Sequence, residues 1–220
     1  MQIGGFMKQS FVDFPGTICA VIFTQGCNFN CWYCHNRTLI PYAASKVMFS
    51  LQQILMFLES RSGFLEGVVI SGGEPTEQSD LKEVINEIKK RGFKVKLDTN
   101  GSNPEKLLEV LPLVDYVAMD IKNSLEKYNL TACRPVNIEN IQKSINIIKT
   151  YAKDYEFRTT FAPDITFEDI EKIAQTIQGA KKFVIQTYNP QTDSAPKQAP
   201  ENYEKAQKIA KNYIPNTLLR

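Results

Sequence analysis

Residues 24–36 read Thr-Gln-Gly-Cys-Asn-Phe-Asn-Cys-Trp-Tyr-Cys-His-Asn and hold Cys27, Cys31 and Cys34 in a C-x3-C-x2-C spacing. Three of the chain's five cysteines thus share one short, glycine-flanked segment, which packing alone does not require. Thiolate is a soft ligand that selects zinc, copper(I) or iron–sulfur clusters. A closed zinc site needs four ligands. His35 is adjacent to Cys34, so the two are awkward partners for one tetrahedral ion. There is no second C-x2-C pair, and Cys133 lies about a hundred residues further on. An odd cysteine count in a chain of this length argues against a disulfide framework. On a cubane iron–sulfur cluster, three thiolates leave one iron without a protein ligand. An open coordination position is the mark of a reactive metal centre.

A reactive centre has to be held by regular elements. The segment follows an apolar, β-branched run, Cys19 to Thr24, that reads as a buried strand. Residues 1–18 read as an irregular lead-in, with a turn at Val12-Asp13-Phe14-Pro15-Gly16. After the cysteine loop, a helix over 50–61 opens at Ser50. The remaining pattern alternates. Strands are expected at 67–71, 93–97, 116–119, 155–160 and 182–187, and helices at 80–91, 104–111, 138–152, 167–178 and about 201–213. Six βα units imply parallel strands with helices outside. They are fewer than the eight of a closed barrel, and 220 residues fall short of the ~250 typical of one. The expectation is an α/β fold, a partial (β/α)6 barrel open on one side. A single domain is expected over 1–220, with its core at about 17–190. Polar motifs follow four different strands: Cys27/Cys31/Cys34, Gly72-Gly73-Glu74, Asp98-Thr99 and Asp120/Lys122. All should converge on the C-terminal face, where βα loops build barrel active sites.

Composition narrows the classes. Hydrophobic content is 43% and charged content 23%, as in ordinary globular proteins. A net charge of +2 gives no broad basic field, so nucleic acid is not indicated. No apolar run approaches the ~18–20 residues that span a bilayer, and the N-terminus lacks a signal-peptide pattern. A cytoplasmic protein with reduced thiols is the expectation.

The cysteine spacing, with aromatic Tyr33 before the third cysteine, resembles the radical S-adenosylmethionine (SAM) superfamily. The resemblance implies a [4Fe-4S] cluster on Cys27, Cys31 and Cys34, with the unique iron chelated by the amino and carboxylate groups of SAM. It also implies the partial-barrel fold. Gly72-Gly73-Glu74 resembles the superfamily's GGE motif, which contacts the SAM amino group; two residues without Cβ also let a backbone approach a ligand closely. By themselves, Asp98-Thr99-Asn100-Gly101 is an ordinary turn and Asp120-x-Lys122 an ordinary ion pair. Together they resemble elements of the glycyl-radical-enzyme activases. There the lysine serves the SAM carboxylate region, and the aspartates and threonine help bind SAM and a monovalent cation, here placed near Asp98, Thr99 and Asp120. Cys34-His35-Asn36 matches the activase cysteine loop, with a hydrogen-bonding or packing role for His35. Val12-Asp13-x-Pro15-Gly16 resembles the activase lead-in, with Phe14 where glycine is usual. Arg158 and Gln186, near strand ends, could line the SAM pocket, and Arg158 could equally be a structural ion-pair partner. Cys19 reads as a buried small hydrophobe, and Cys133 has no assigned role.

The family mechanism would begin with one electron from a flavodoxin or ferredoxin. Cleavage of SAM would give methionine and a 5′-deoxyadenosyl radical, which takes a hydrogen atom from a glycine Cα of a large partner. The form resembled in particular implies anaerobic ribonucleoside-triphosphate reductase as that partner. Three alternatives stay open: an activase of another glycyl radical enzyme such as pyruvate formate-lyase, a small-molecule enzyme like the compact 7-carboxy-7-deazaguanine synthases, and a zinc-stabilised interaction module without catalysis.

Overall fold

A two-residue alternation runs through every strand and decides which side chains face which layer. In the computed structural model, which describes residues 1–43, 49–190 and 198–220, the strands are β1 (Ile3–Ser10), β2 (Cys19–Thr24), β3 (Gly67–Gly72), β4 (Lys94–Thr99), β5 (Tyr116–Asp120), β6 (Tyr155–Phe161), β7 (Phe183–Thr187) and β8 (Thr217–Leu219). They form one sheet in sequence order. β1 pairs antiparallel with β2, and every later pair is parallel. The helices are α1 (Leu51–Ser60), α2 (Leu81–Lys90), α3 (Pro104–Val110), α4 (Tyr128–Ala132), α5 (Ile138–Tyr151), α6 (Phe167–Thr176) and α7 (Pro200–Lys211).

Alternate strand residues such as Ile22, Ile70, Leu97, Val117, Phe157 and Ile185 join one large core with the buried faces of the helices. The other set faces inward. Cys19, Val21, Val69, Tyr116 and Ala118 pack together there with Phe14. The rings of Phe14, just before β2, and Tyr116 on β5 lie 6.0 Å apart. In a flat sheet β2 and β5 would be about 14 Å apart, so the sheet must curl. No pairing joins β1 to β8 among the described residues, so the curl does not close. This is the expected partial barrel of parallel strands.

Local signals set the helix starts. Ser50 and Gln53 make a reciprocal capping box at α1, and Thr166 with Asp169 does the same at α6. Asn103 and Asn137 cap α3 and α5. Observed boundaries agree with the sequence reading to within about two residues. The lead-in is a correction: residues 3–10 are strand, not irregular chain. Gly4 and Gly5 hide that strand, because glycine has low β propensity; pairing with β2 supplies what local preference lacks. The short α4 and β8 were also not foreseen. Four of the five α4 residues are polar or small, and β8 is three residues long. No helix among the described residues is long and apolar enough to cross a membrane.

Candidate active site

Loops at the C-terminal ends of β2 to β5 meet around a cavity of about 250 Å³. Its wall includes Cys27, Cys31, Cys34 and Tyr33 from the first loop, Gly72, Gly73 and Glu74 from the second, Asp98 and Thr99 from the third, and Asp120 and Lys122 from the fourth. Arg158 on β6 and Gln186 on β7 complete it. The structure therefore brings together all the candidate site residues of the sequence. His35 is exposed on the same rim. Asp13 is not in the cavity wall: it follows β1 near the start of β2, at the far end of that strand, where Ser10 Oγ donates to its carboxylate at 2.5 Å.

The cysteine loop is tied down from several sides. Gly26 N donates to Leu39 O at 2.8 Å and Cys27 N to Ile40 O at 3.0 Å, closing the loop on itself. Asn30 N donates to Ala132 O of α4 at 2.9 Å. Asn100 Nδ2 donates to Asn28 Oδ1 at 2.9 Å, and Asn28 Nδ2 to Ser102 Oγ at 2.8 Å, linking the loop to the one after β4. Trp32 Nε1 donates to Asp164 beyond β6 at 3.1 Å. Asn28 and Asp164 were not singled out in the sequence, and Asn100 entered only as part of the turn after β4. Single asparagines and aspartates in turns are too common to stand out.

The glycine pair, in the cavity wall, also packs against the cysteine loop. A Cβ on Gly73 would lie 2.1 Å from Gly26 O, and one on Gly72, where φ is +109°, would lie 2.4 Å from Thr24 N. Their missing side chains let the end of β3 pack directly against the root of the cysteine loop. Glu74 extends this link. Its buried carboxylate accepts from Thr76 N at 3.0 Å, Thr76 Oγ1 at 2.6 Å, Thr99 Oγ1 at 2.7 Å and Asn100 N at 2.7 Å. Burial pushes the carboxyl above its usual range, against the pull of these four donors. Glu74 thus clamps the loops after β3 and β4 to each other.

The floor is a chain of buried charges. Lys96 Nζ donates to Asp98 Oδ1 at 2.5 Å, Arg158 Nη1 to Asp98 Oδ2 at 3.3 Å, Arg158 Nε to Asp120 Oδ1 at 2.7 Å, and Lys122 Nζ to Asp120 Oδ2 at 3.0 Å. Burial works against both aspartates ionising, yet Arg158 with Lys96 holds Asp98, and Arg158 with Lys122 holds Asp120, below the ordinary carboxylate range. Lys96 was missed in the sequence. Its signal was there: Lys96 and Asp98 alternate with apolar Val95 and Leu97 on a strand buried on both faces.

The thiols sit in a different environment. Burial, reinforced by the charge of Glu74, pushes Cys27 up to about 12. Burial also raises Cys31, against the pull of Lys122. Such thiols ionise when a metal binds them, releasing their protons. Among the described residues, no three Cys, His, Asp or Glu side chains form a group that could hold one metal ion; a cubane instead gives each thiolate its own iron corner. Cys19 is fully buried on β2 and pushed up to about 11 by burial and then by Asp13.

The model of the radical SAM superfamily matches residues 21–177. A Methanocaldococcus jannaschii protein named "Putative glycyl-radical enzyme activating enzyme MJ1227" is 37% identical over 99% of this chain and 95% of its own length. The pyruvate formate-lyase-activating enzyme of Clostridium pasteurianum is 34% identical over 56% of this chain and 52% of its own. The crystal structure of Streptococcus suis SuiB bound to S-adenosylmethionine superposes with a TM-score of 0.72 at 16% identity, over 91% of this chain. The chain spans 49% of SuiB, and the likeness is one of fold.

Proposed function

The chain belongs to the radical SAM superfamily, and from that premise we propose that it activates a glycyl radical enzyme. Membership implies a [4Fe-4S] cluster and SAM, and the residues present fit both. Three thiols from one loop give soft ligands for three irons. The adjoining cavity carries an ammonium group, Lys122, for a carboxylate, and backbone at Gly72-Gly73 for an amino group. When bound, the two groups supply one-electron cleavage of a carbon–sulfur bond and hence a carbon radical able to take a hydrogen atom. The chain's own residues hold and orient. Cys27, Cys31 and Cys34 would keep three cluster corners and leave the fourth free. Phe29 and Tyr33, both buried in the wall, keep water from the reacting end. Asp98 and Asp120, ionised and locked by Arg158, fix the floor.

The observation that carries this reading is the convergence of four βα loops on one cavity beside three thiols. The likeness along 99% of the chain to a relative named for this activity supports it over a small-molecule enzyme. Among the described residues β1 and β8 do not pair with each other, and we read the open side of the barrel as access for a polypeptide loop. The substrate we propose is a glycine of anaerobic ribonucleoside-triphosphate reductase, with a flavodoxin or ferredoxin as electron donor. Electron paramagnetic resonance of the anaerobically reconstituted, reduced protein with SAM tests this. A stable glycyl radical should arise only after the reductase is added. No organic radical with that partner, while SAM is still consumed, would reject the partner; a colourless protein that takes up zinc and no iron or sulfide would reject the enzyme.

A further inference from the structure

Asp98, Thr99 and Asp120 are the residues to which the activase resemblance assigns a monovalent cation, and their oxygens are already engaged. Asp98 Oδ1 accepts from Lys96 and Oδ2 from Ser71 Oγ at 3.1 Å and from Arg158 at 3.3 Å. Asp120 Oδ1 accepts from Arg158 at 2.7 Å and Oδ2 from Lys122 at 3.0 Å. The Thr99 hydroxyl donates to Glu74 at 2.7 Å and accepts from Gly101 N at 3.1 Å. A hard cation is held by oxygen lone pairs, and here each of these oxygens already meets a hydrogen-bond donor.

The reach of Arg158 explains how one side chain serves both aspartates. Asp120 pairs directly with Arg158 across β5 and β6, while Asp98 lies a strand further on, beside Ala118. From β6 to β4 is about 10 Å. The inward residue between them on β5 is alanine, fully buried, and its single methyl leaves the guanidinium room to pass. Charge agrees with geometry. Three cationic groups, Lys96, Lys122 and Arg158, face Asp98 and Asp120, and the Glu74 carboxylate bonded to Thr99 brings the formal sum to zero, so no net negative charge is left to draw in a further cation. A guanidinium stays protonated at any working pH, so the charge of Arg158 is not relieved.

We propose that the Arg158 guanidinium takes the place of an inorganic cation in this protein, so that the cavity binds the amino-acid end of SAM without an alkali ion. This rests on the activating-enzyme reading for the identity of the ligand. Arg158 is then a positioning residue: it sets Asp98 and Asp120, and through Asp120 the ammonium of Lys122.

The test compares potassium, sodium and tetramethylammonium chlorides at one ionic strength. SAM affinity of the anaerobically reconstituted protein, by equilibrium dialysis, should differ by less than about twofold among the three. A larger gain in potassium or sodium overturns the proposal. Arg158→Gln should make affinity respond to potassium by about fivefold or more, and Arg158→Lys should restore indifference. An Arg158→Gln protein that melts like the wild type yet ignores potassium also overturns it; if that variant does not fold, the wild-type comparison decides. SAM that binds in no salt rejects the activating-enzyme reading instead. Sodium-23 relaxation of the cluster-free protein then settles the ion alone. No potassium-competed broadening supports the guanidinium; such broadening overturns it.

Discussion

Asp169 shows how much one side chain can gather. It lies at the start of α6, 1% exposed, and accepts from Ser124 Oγ at 2.8 Å, Lys127 Nζ at 2.8 Å and Thr166 Oγ1 at 2.7 Å. Burial opposes its ionisation, but Lys127 and then Thr166 and Ser124 bring it down to about 2. The native-state value lies below the unfolded value of about 3.9. The stabilisation is therefore complete above that pH and is lost as pH falls towards 2. Its size is of order 2 kcal/mol. Asp169→Asn should lower the urea midpoint at pH 7 by a corresponding amount, and the gap between variant and wild type should shrink steadily below pH 4. A gap that is constant with pH would mean that the side chain acts only as a helix cap.

Elements are joined through the glycines that end β3. Two strands that meet a loop this closely leave no volume for a methyl group. Gly73→Ala should cost about 1–3 kcal/mol by overpacking, and it should do so by pushing Gly26 and the cysteine loop away from β3. The expected outcome is a folded protein whose iron and sulfide content after reconstitution and desalting falls well below the wild type. Full cluster retention would show that the loop yields without moving the thiols. The existence of β3 and its Gly-Gly-Glu ending is legible in the sequence, since a short apolar run closed by two glycines has few other readings. What the glycines touch is not, because Gly26 lies 47 positions earlier in the chain.

The molecule as a whole is an open sheet with two edges, and the second edge carries a charge lock. Arg220, beyond β8, makes two contacts with Glu156 on β6, Nη1 to Oε1 at 2.9 Å and Nη2 to Oε2 at 3.2 Å. Glu156 is fully buried and also accepts from Tyr116 Oη at 3.0 Å. Burial works against its charge, and Arg220 holds it ionised below the usual range. Removing residues 217–220 should leave Glu156 without its cation and expose the edge of β7. A loss of about 1–3 kcal/mol is expected, because Glu156 is buried while Arg220 is 41% exposed, with concentration-dependent association in light scattering. A truncated protein that stays monomeric with an unchanged melting temperature would show that β8 is an accessory strand.

The amino-acid order alone determined the alternation of strands and helices, the side of the sheet on which four motifs gather, and the chemistry of three soft ligands left one short of a closed site. These follow from local patterns: hydrophobic period, turn residues and thiol spacing act over a few neighbours. Only the tertiary structure decided that Gly4 and Gly5 lie in a strand, that Glu74 clamps two loops, and that Arg158 reaches past Ala118 to Asp98 as well as Asp120. Each of these depends on a partner 18 to 60 positions away, brought near by the pairing and curl of the sheet. Distance along a chain carries no record of distance in space, so no local pattern could supply them.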